Sequence, residues 1–567
     1  MIKTLKKAAL PLAMGLAFAG SANAFVVNET FTGNYYEGEA KSGRGLILDI
    51  FPDSSQEFGN NVLAQWFTYR DGEPVWLIGT GSVDQNTNEA DLTILEYVGG
   101  DFGPEYVTAD ATSSTWGTGT LTFNSCNEIV LDYDGVDGAG TQTLQPVTQG
   151  DCVVDQKFTS CPSFATAGLL PGSCIISGEI TSDVTLTNEI TWLPRGKVTV
   201  ADGATVTIEP NTEIVGGTGA GVDYVVVAQG GKMIADGTAN NPIIMRGDSA
   251  VARGEWGGLA INGYAPINGC AEGTEVCTAQ GEGDSGTYGG NDPMDSSGVY
   301  RYMVVSNAGF EFSPDNELNG IALQGVGAGT TFEYVQVHLN ADDGIEPFGG
   351  TVNMKHIVLT GHGDDSFDWT KGYVGKAQYV LVKQYGDDAD RGIEADNNGS
   401  SNDALPRSQP MLANFTIIGA GEGADGSHGV LIREGTAAHI ANFVVTGSPE
   451  TCFDIDQTAT FTQATAGESS VVNSVFGGCI EATFDDDSAD PFVVSEWVLG
   501  QDGNVDANPD LVNYIPAADS PAFAVPAVPF EDAFFDNVDF AGAVRDAKSD
   551  WTKGWTVGLD RSAPIGQ

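Results

Sequence analysis

The carboxylates between residues 342 and 396 fall into three groups with a shared spacing. Asp342 and Asp343 precede Glu346, Asp364 and Asp365 precede Asp368, and Asp387, Asp388 and Asp390 precede Glu394 and Asp396. Acidic side chains so dense, set in Gly- and Asp-rich turns, are hard-cation chemistry. Calcium takes six to eight oxygens, from carboxylates and turn carbonyls alike, and tolerates irregular geometry. The same side chains have a structural alternative, because Asp readily bonds the amides of its own turn.

What must position them is a repeat. Gly344-Ile345-Glu346 returns as Ser366-Phe367-Asp368 and as Gly392-Ile393-Glu394, with Gly320-Ile321 upstream and Gly429-Val430, Cys452-Phe453-Asp454 and Cys479-Ile480-Glu481 downstream, a period of 22 to 27 residues through most of this stretch. A second phrase keeps step: Phe332 to Leu339, Val352 to Leu359, Ala377 to Lys383, Leu412 to Ile418, Ile440 to Val445 and Val471 to Phe476 read as short strands. Repeats of this size without a 3.6-residue period fit one turn of a parallel β-helix, each coil about 4.8 Å above the last. Stacking then gathers the three groups on one edge, about 5 Å apart, where ionised carboxylates repel strongly unless a cation intervenes. The expected metal ligands are Asp342, Asp343, Glu346, Asp364, Asp365, Asp368, Asp390, Glu394 and Asp396, with calcium as the cofactor.

Composition narrows the function. The chain carries 77 acidic against 24 basic residues, a formal charge of −53, which repels nucleic acid and anionic lipid. Residues 1–24 read as an export leader: Lys3, Lys6 and Lys7, an apolar run from Ala8 to Ala19, then Ala22-Asn23-Ala24. No later apolar run approaches the roughly 18 residues of a membrane span. Export to the medium or outer surface is expected, with the periplasm an open alternative. Eight cysteines in an exported chain suggest four disulfides. Proximity pairs Cys126 with Cys152, Cys161 with Cys174, Cys270 with Cys277 and Cys452 with Cys479, the last as neighbours one coil apart in register.

The expected fold class is all-β: a small antiparallel domain, then a right-handed parallel β-helix. Residues 25–152 alternate apolar and polar positions in short runs, Gly45 to Phe51, Val62 to Tyr69, Pro74 to Thr80, Ala90 to Tyr97, Gly117 to Phe123 and Ile129 to Tyr133, which predicts an antiparallel sandwich or barrel. Its aromatic residues Tyr35, Tyr36, Trp66, Tyr69, Trp76, Phe102 and Trp116 read first as core and second as a sugar-stacking platform. Residues 153–177 form a linker and N-terminal cap, 178–485 the helix, and 486–567 a C-terminal segment that caps the last coil or folds back along it. A long Gly-rich excursion from Gly254 to Tyr300 interrupts the coils.

Two resemblances accompany this reading. Gly33-Asn34-Tyr35-Tyr36, Ser42-Gly43-Arg44-Gly45-Leu46, Trp66-Phe67-Thr68-Tyr69, Pro74-Val75-Trp76 and Gly100-Asp101-Phe102-Gly103 resemble a module at the ends of secreted or surface proteins of Gram-negative bacteria. Gly254-Glu255-Trp256-Gly257-Gly258-Leu259, Asp342-Asp343-Gly344-Ile345-Glu346, Asp364-Asp365-Ser366-Phe367-Asp368-Trp369, Arg391-Gly392-Ile393-Glu394 and Asp550-Trp551-Thr552 resemble a broad family of exported bacterial β-helix surface proteins and lipoproteins. The second implies the architecture, which hosts both lyases and inert surface proteins.

The favoured function is therefore a calcium-stabilised surface protein that binds an extended ligand, a glycan or another cell-envelope component, on a groove lined by Trp256, Trp369 and Tyr385. The alternatives are a polysaccharide lyase or glycosidase working at the acidic edge, and a structural or adhesive surface-layer protein. For an enzyme the candidate catalytic residues are Arg391, Lys383, Glu346, Asp368 and Glu394. Lyases pair calcium with an Arg or Lys base, whereas glycosidases need two carboxyls about 5 to 9.5 Å apart. Arg391 beside Asp390 reads as a structural ion pair, and surrounding carboxylates oppose its deprotonation. His338 and His356 fall in predicted strands as structural residues, and His362 in a turn is a candidate titrating group. No Gly-x-Ser-x-Gly elbow or zinc-protease motif is present.

Overall fold

The computed structural model describes residues 27 to 560, apart from 28–30, 39–40, 42, 53–59, 85–86, 100–110, 126, 148–160, 169–171, 220, 272, 312–316, 388 and 425. The expected leader, the Cys126–Cys152 bridge, Phe102, Asp388 and part of the linker lie outside the described residues. The chain separates into two compact units, Met1–Thr159 with Leu169–Gly172, and Ser160–Gly168 with Ser173–Gln567.

The first unit is an eight-stranded antiparallel barrel: β1 (Gly33–Tyr36), β2 (Gly45–Pro52), β3 (Asn60–Arg70), β4 (Glu73–Asp84), β5 (Glu89–Gly99), β6 (Ala111–Ser125), β7 (Glu128–Gly135) and β8 (Gly138–Pro146). Each strand pairs with the next, and Tyr35 opposite Pro146 closes the ring. Strand parity decides which aromatics are core. On β3, Val62, Ala64 and Trp66 point inward, so Phe67 and Tyr69 point outward. Tyr35, Trp66 and Trp116 are buried, with Trp66 and Trp116 edge to face at 5.4 Å, while Tyr69 and Trp76 are exposed. The core expectation is corrected for those last two.

The second unit is a parallel β-helix. Its edge at the N-terminal end is covered by the short antiparallel strand Thr166–Ala167 on Ser173–Ile180, tied by the Cys161–Cys174 disulfide, with Phe164 stacked on Trp192. The pairing covers that edge at Cys174 and Ile175 and so shortens the row of amides and carbonyls that could recruit another chain. One face of the solenoid is the sheet Tyr224–Val227, Leu259–Asn262, Ile321–Gln324, Ile345–Phe348, Phe367–Trp369, Ile393–Ala395, Val430–Ile432 and Thr451–Ile455. Its inward row, Val225, Leu259, Ile321, Ile345, Phe367, Ile393 and Val430, stacks in register through the core.

The other long strands, Gly298–Ser306, Thr331–His338, Asn353–Thr360, Lys376–Lys383 and Met411–Ile418, each bend at one residue in the left-handed region. Those residues are Tyr302, Tyr334, His356, Tyr379 and Asn414, at φ between 47° and 62°. The ladder skips them, which turns one strand across two faces and aims a column of side chains outward. The C-terminal segment folds back onto this column. Gln336 exchanges two hydrogen bonds with Val557, Gln378 does the same with Asp536, and Asn414 donates to the Phe540 carbonyl.

Three disulfides join Cys161 to Cys174, Cys270 to Cys277 and Cys452 to Cys479. The register argument for the last is corrected. Thr451 pairs with Ala482, because the helix Thr458–Ala466 lengthens that coil, so Cys479 stands ahead of the position equivalent to Cys452.

Candidate functional site

Three consecutive coils carry the same three active positions. On the outer face of the sheet, Ala322 pairs with Glu346 and Asp368 with Glu394, while Ile345 over Phe367 sets Glu346 beside Asp368. The preceding turns add two more columns, Asp342, Asp364 and Asp390, then Asp343, Asp365 and Arg391. The turns are locked to one another: the Asp365 amide donates to Asp343 Oδ1 at 3.0 Å and the Arg391 amide to Asp365 Oδ1 at 2.7 Å. Asp343 and Asp365 thus each give one oxygen to the turn of the next coil rather than to their own.

Three sets of carboxylate oxygens lie within 4.8 Å of one another: Asp342 with Asp343 and Asp364, Asp343 with Glu346 and Asp368, and Asp364 with Asp365 and Asp390. Those separations suit oxygens that share one calcium at 2.3 to 2.6 Å. Two buried atoms among them lack a partner, Asp368 Oδ1 and the side-chain oxygen of Asn319. Asn319 directs its Nδ2 to Glu346 at 2.7 Å and to Glu282 at 3.1 Å. The residues present therefore fit a divalent cation.

Burial sets the electrostatics. Asp343, Glu346, Asp365 and Asp368 are pushed well above the usual carboxylate range, chiefly by burial and then by neighbouring carboxylates, Asp342 on Asp343, Asp368 on Glu346, and Glu394 on both Asp365 and Asp368. Asp342 and Glu394 are raised to about 7 and Glu282 to about 8, again first by burial. Oxygens of Glu346 and Asp368 lie within 4.8 Å of one another, close enough that the Asp368 charge helps to raise Glu346. Without a cation the site stores protons at neutral pH.

At the third coil an arginine replaces the carboxylate. Arg391 pairs with Asp390 and Glu394 at 2.6 Å, and Arg433 holds Glu394 and Asp396. Burial lowers both guanidinium pKa values, but the paired carboxylates outweigh it and leave them raised. Asp396 and Asp387, the latter held by Arg253 at 2.9 Å, thus stand with arginines rather than in the oxygen sets. Lys383 is elsewhere, donating to the Leu559 carbonyl at 2.6 Å on the folded-back segment.

The expected aromatic groove is corrected. Trp256, Trp369 and Tyr385 are fully buried, bonded to Ser306, Thr436 and Gly558, and a ring with no exposed face offers no stacking surface. The expectation that His362 titrates is corrected as well. Sealed in the core, it bonds the Val337 carbonyl and is pushed down to about 3, first by burial.

The excursion supplies what sequence reasoning missed. Ile267 and Tyr288 pack on Ala322 and Phe348, covering the sheet's outer face up to the acidic columns. Glu282 then reaches the site through Asn319, while Asp364 stays exposed on the opposite side. Lys371 was also missed: it pulls Glu282 and Glu434 downward, yet no hydrogen bond or ion pair ties its ammonium among the described residues. Its place at the end of Phe367–Trp369, two residues past the Asp-rich phrase, was the available signal.

The family model described as a pectate-lyase-like beta helix domain matches residues 178–556. No curated protein matches the chain. A solved structure, a mutant of the periplasmic alginate epimerase AlgG, is similar at a TM-score of 0.33 and 10% identity, over 61% of this chain and 80% of that one.

Proposed function

Since the chain belongs to the pectate-lyase-like β-helix family, we propose that it binds an extended, carboxylate-bearing polysaccharide across the acidic columns, through calcium held there. The observation that carries this reading is the grid itself: two coils of buried carboxylates arranged to share a cation, closed at the third coil by Arg391. Calcium would be held by Asp342, Asp343, Glu346, Asp364 and Asp368, and when bound it neutralises a sugar carboxylate. Arg391 and Arg433, kept charged by their carboxylates, orient a further anionic group of the chain. The open side at Asp364 gives the polymer access. Three disulfides support a working place outside the cytoplasm.

Lys371 favours a second reading, β-elimination, because its ammonium acts on Glu282 and Glu434 beside the acidic columns and no ion pair among the described residues holds it in place. A glycosidase built on Glu346 and Asp368 is disfavoured, since both side chains are buried and a glycosidic bond must reach between the two carboxyls.

The test is titration of chelator-treated protein with calcium, then with polygalacturonate, by calorimetry. Calcium uptake followed by polymer binding that Asp343→Asn abolishes supports the proposal, and no divalent binding ends it. Appearance of unsaturated uronate absorbance, lost in Lys371→Met, selects the lyase.

A further inference from the structure

The barrel carries a surface that neither its fold nor the helix explains. Across its outer face the registers set Tyr36 opposite Gly45, Gly45 opposite Phe67, and Phe67 opposite Trp76. Tyr97 continues the row, next to the Glu96 that faces Leu77. Phe67 and Trp76 are stacked with near-parallel rings, 7° apart with centroids at 6.1 Å. They are 40% and 52% exposed, and Tyr69 and Tyr97 are 56% and 49% exposed. Large aromatic side chains aligned in water are costly without a partner.

Gly45 interrupts the row, beside a cavity of about 330 Å³ lined by Tyr36, Arg44 and Phe67. Charge is asymmetric here. Lys41 and Arg44 both pair with Glu37, whose side chain is only 6% exposed while theirs are 54% and 35% exposed, so the solvent-facing charge among the described residues is positive. The outward aspartates Asp91, Asp132 and Asp134 line a separate hollow on β5 to β7. On a chain of net charge −53, an exposed aromatic row that ends at one carboxylate and two cations, Glu37 with Lys41 and Arg44, complements an anion.

We propose that this face of the barrel is a second polysaccharide-binding surface, in which Phe67 and Trp76 stack on the C–H faces of successive sugar rings and Arg44 pairs with a sugar carboxylate. The proposal takes its ligand class from the reading of the helix site, but it stands on separate residues. It adds an anchoring function to a barrel with no chemistry of its own.

Affinity electrophoresis of the full chain through gels containing polygalacturonate, with hydroxyethyl cellulose as the neutral control, tests it. The F67A/W76A double variant should lose about 10-fold in affinity, and Arg44→Gln should weaken retention by polygalacturonate alone. All three side chains are surface groups, so an unchanged melting temperature confirms folding. Asp368→Asn in the helix is run in parallel. Unchanged retention of the double variant while Asp368→Asn loses binding overturns this inference and leaves the helix reading standing. Retention lost in the double variant but kept in Asp368→Asn supports the barrel site and counts against the helix. A wild-type dimer in sedimentation that the double variant splits also overturns the inference, by making a second copy the occupant.

Discussion

Asp343, Glu346, Asp365 and Asp368 bind protons more tightly folded than unfolded, which reverses the usual acid sensitivity of carboxylates. A group raised on folding adds stability that is complete below its unfolded pKa, about 4, and that is lost as pH rises through the folded value. Metal-free protein should therefore lose melting temperature between about pH 5 and 8, Asp342 and Glu394 at about 7 marking the middle of the fall. Saturating calcium should flatten the curve and release protons on binding, and calcium affinity should rise over the same interval. A flat metal-free curve in differential scanning would refute the assignment. Arg391→Gln should cost about 3 kcal/mol in denaturant unfolding, because Asp390 and Glu394 lose a buried partner, and calcium should recover part of that loss.

At the scale of elements, the bent strands and the C-terminal segment form one device. Gln336 and Gln378, both fully buried, each grip the segment's backbone twice, so Ala at either position should cost about 1 to 2 kcal/mol and raise hydrogen exchange over residues 530–558 first. His356 stacks between Tyr334 and Tyr379 at 4.2 and 5.0 Å, and burial pushes it down to about 4. Its sign is opposite to that of the acidic columns: a base depressed on folding loses stability as pH falls from about 6.5 towards 4. His356→Phe, which keeps the stack, should remove that acid-side loss in urea melts. The strands themselves were legible. The runs near 332, 352, 377 and 412 match observed strands to within a residue or two, because side chains that alternate into a dry core leave a pattern. The bends were not, since Tyr334, His356 and Tyr379 look like ordinary strand residues until the left-handed φ puts them outside.

For the whole molecule, a net charge of −53 implies self-repulsion that salt screens. Sodium chloride should raise the melting temperature gradually, and millimolar calcium at matched ionic strength should raise it further, a difference that scanning calorimetry of the two titrations resolves. The sequence by itself determined the repeat, the all-β class and the acidic triplets, because each is a local spacing that any stacking of coils must respect. Tertiary structure decided the rest. Trp256, Trp369 and Tyr385 went to the core, while Trp76 and Tyr69 went to the surface, as facing depends on strand parity and on what lies across the sheet. Glu282 and Asn319 joined the site from outside the triplets through an excursion folded over the sheet, and Arg433 rather than Lys383 completed its cationic end. Contacts between residues tens of positions apart are set by how loops pack over the coils, and no spacing along the chain encodes that.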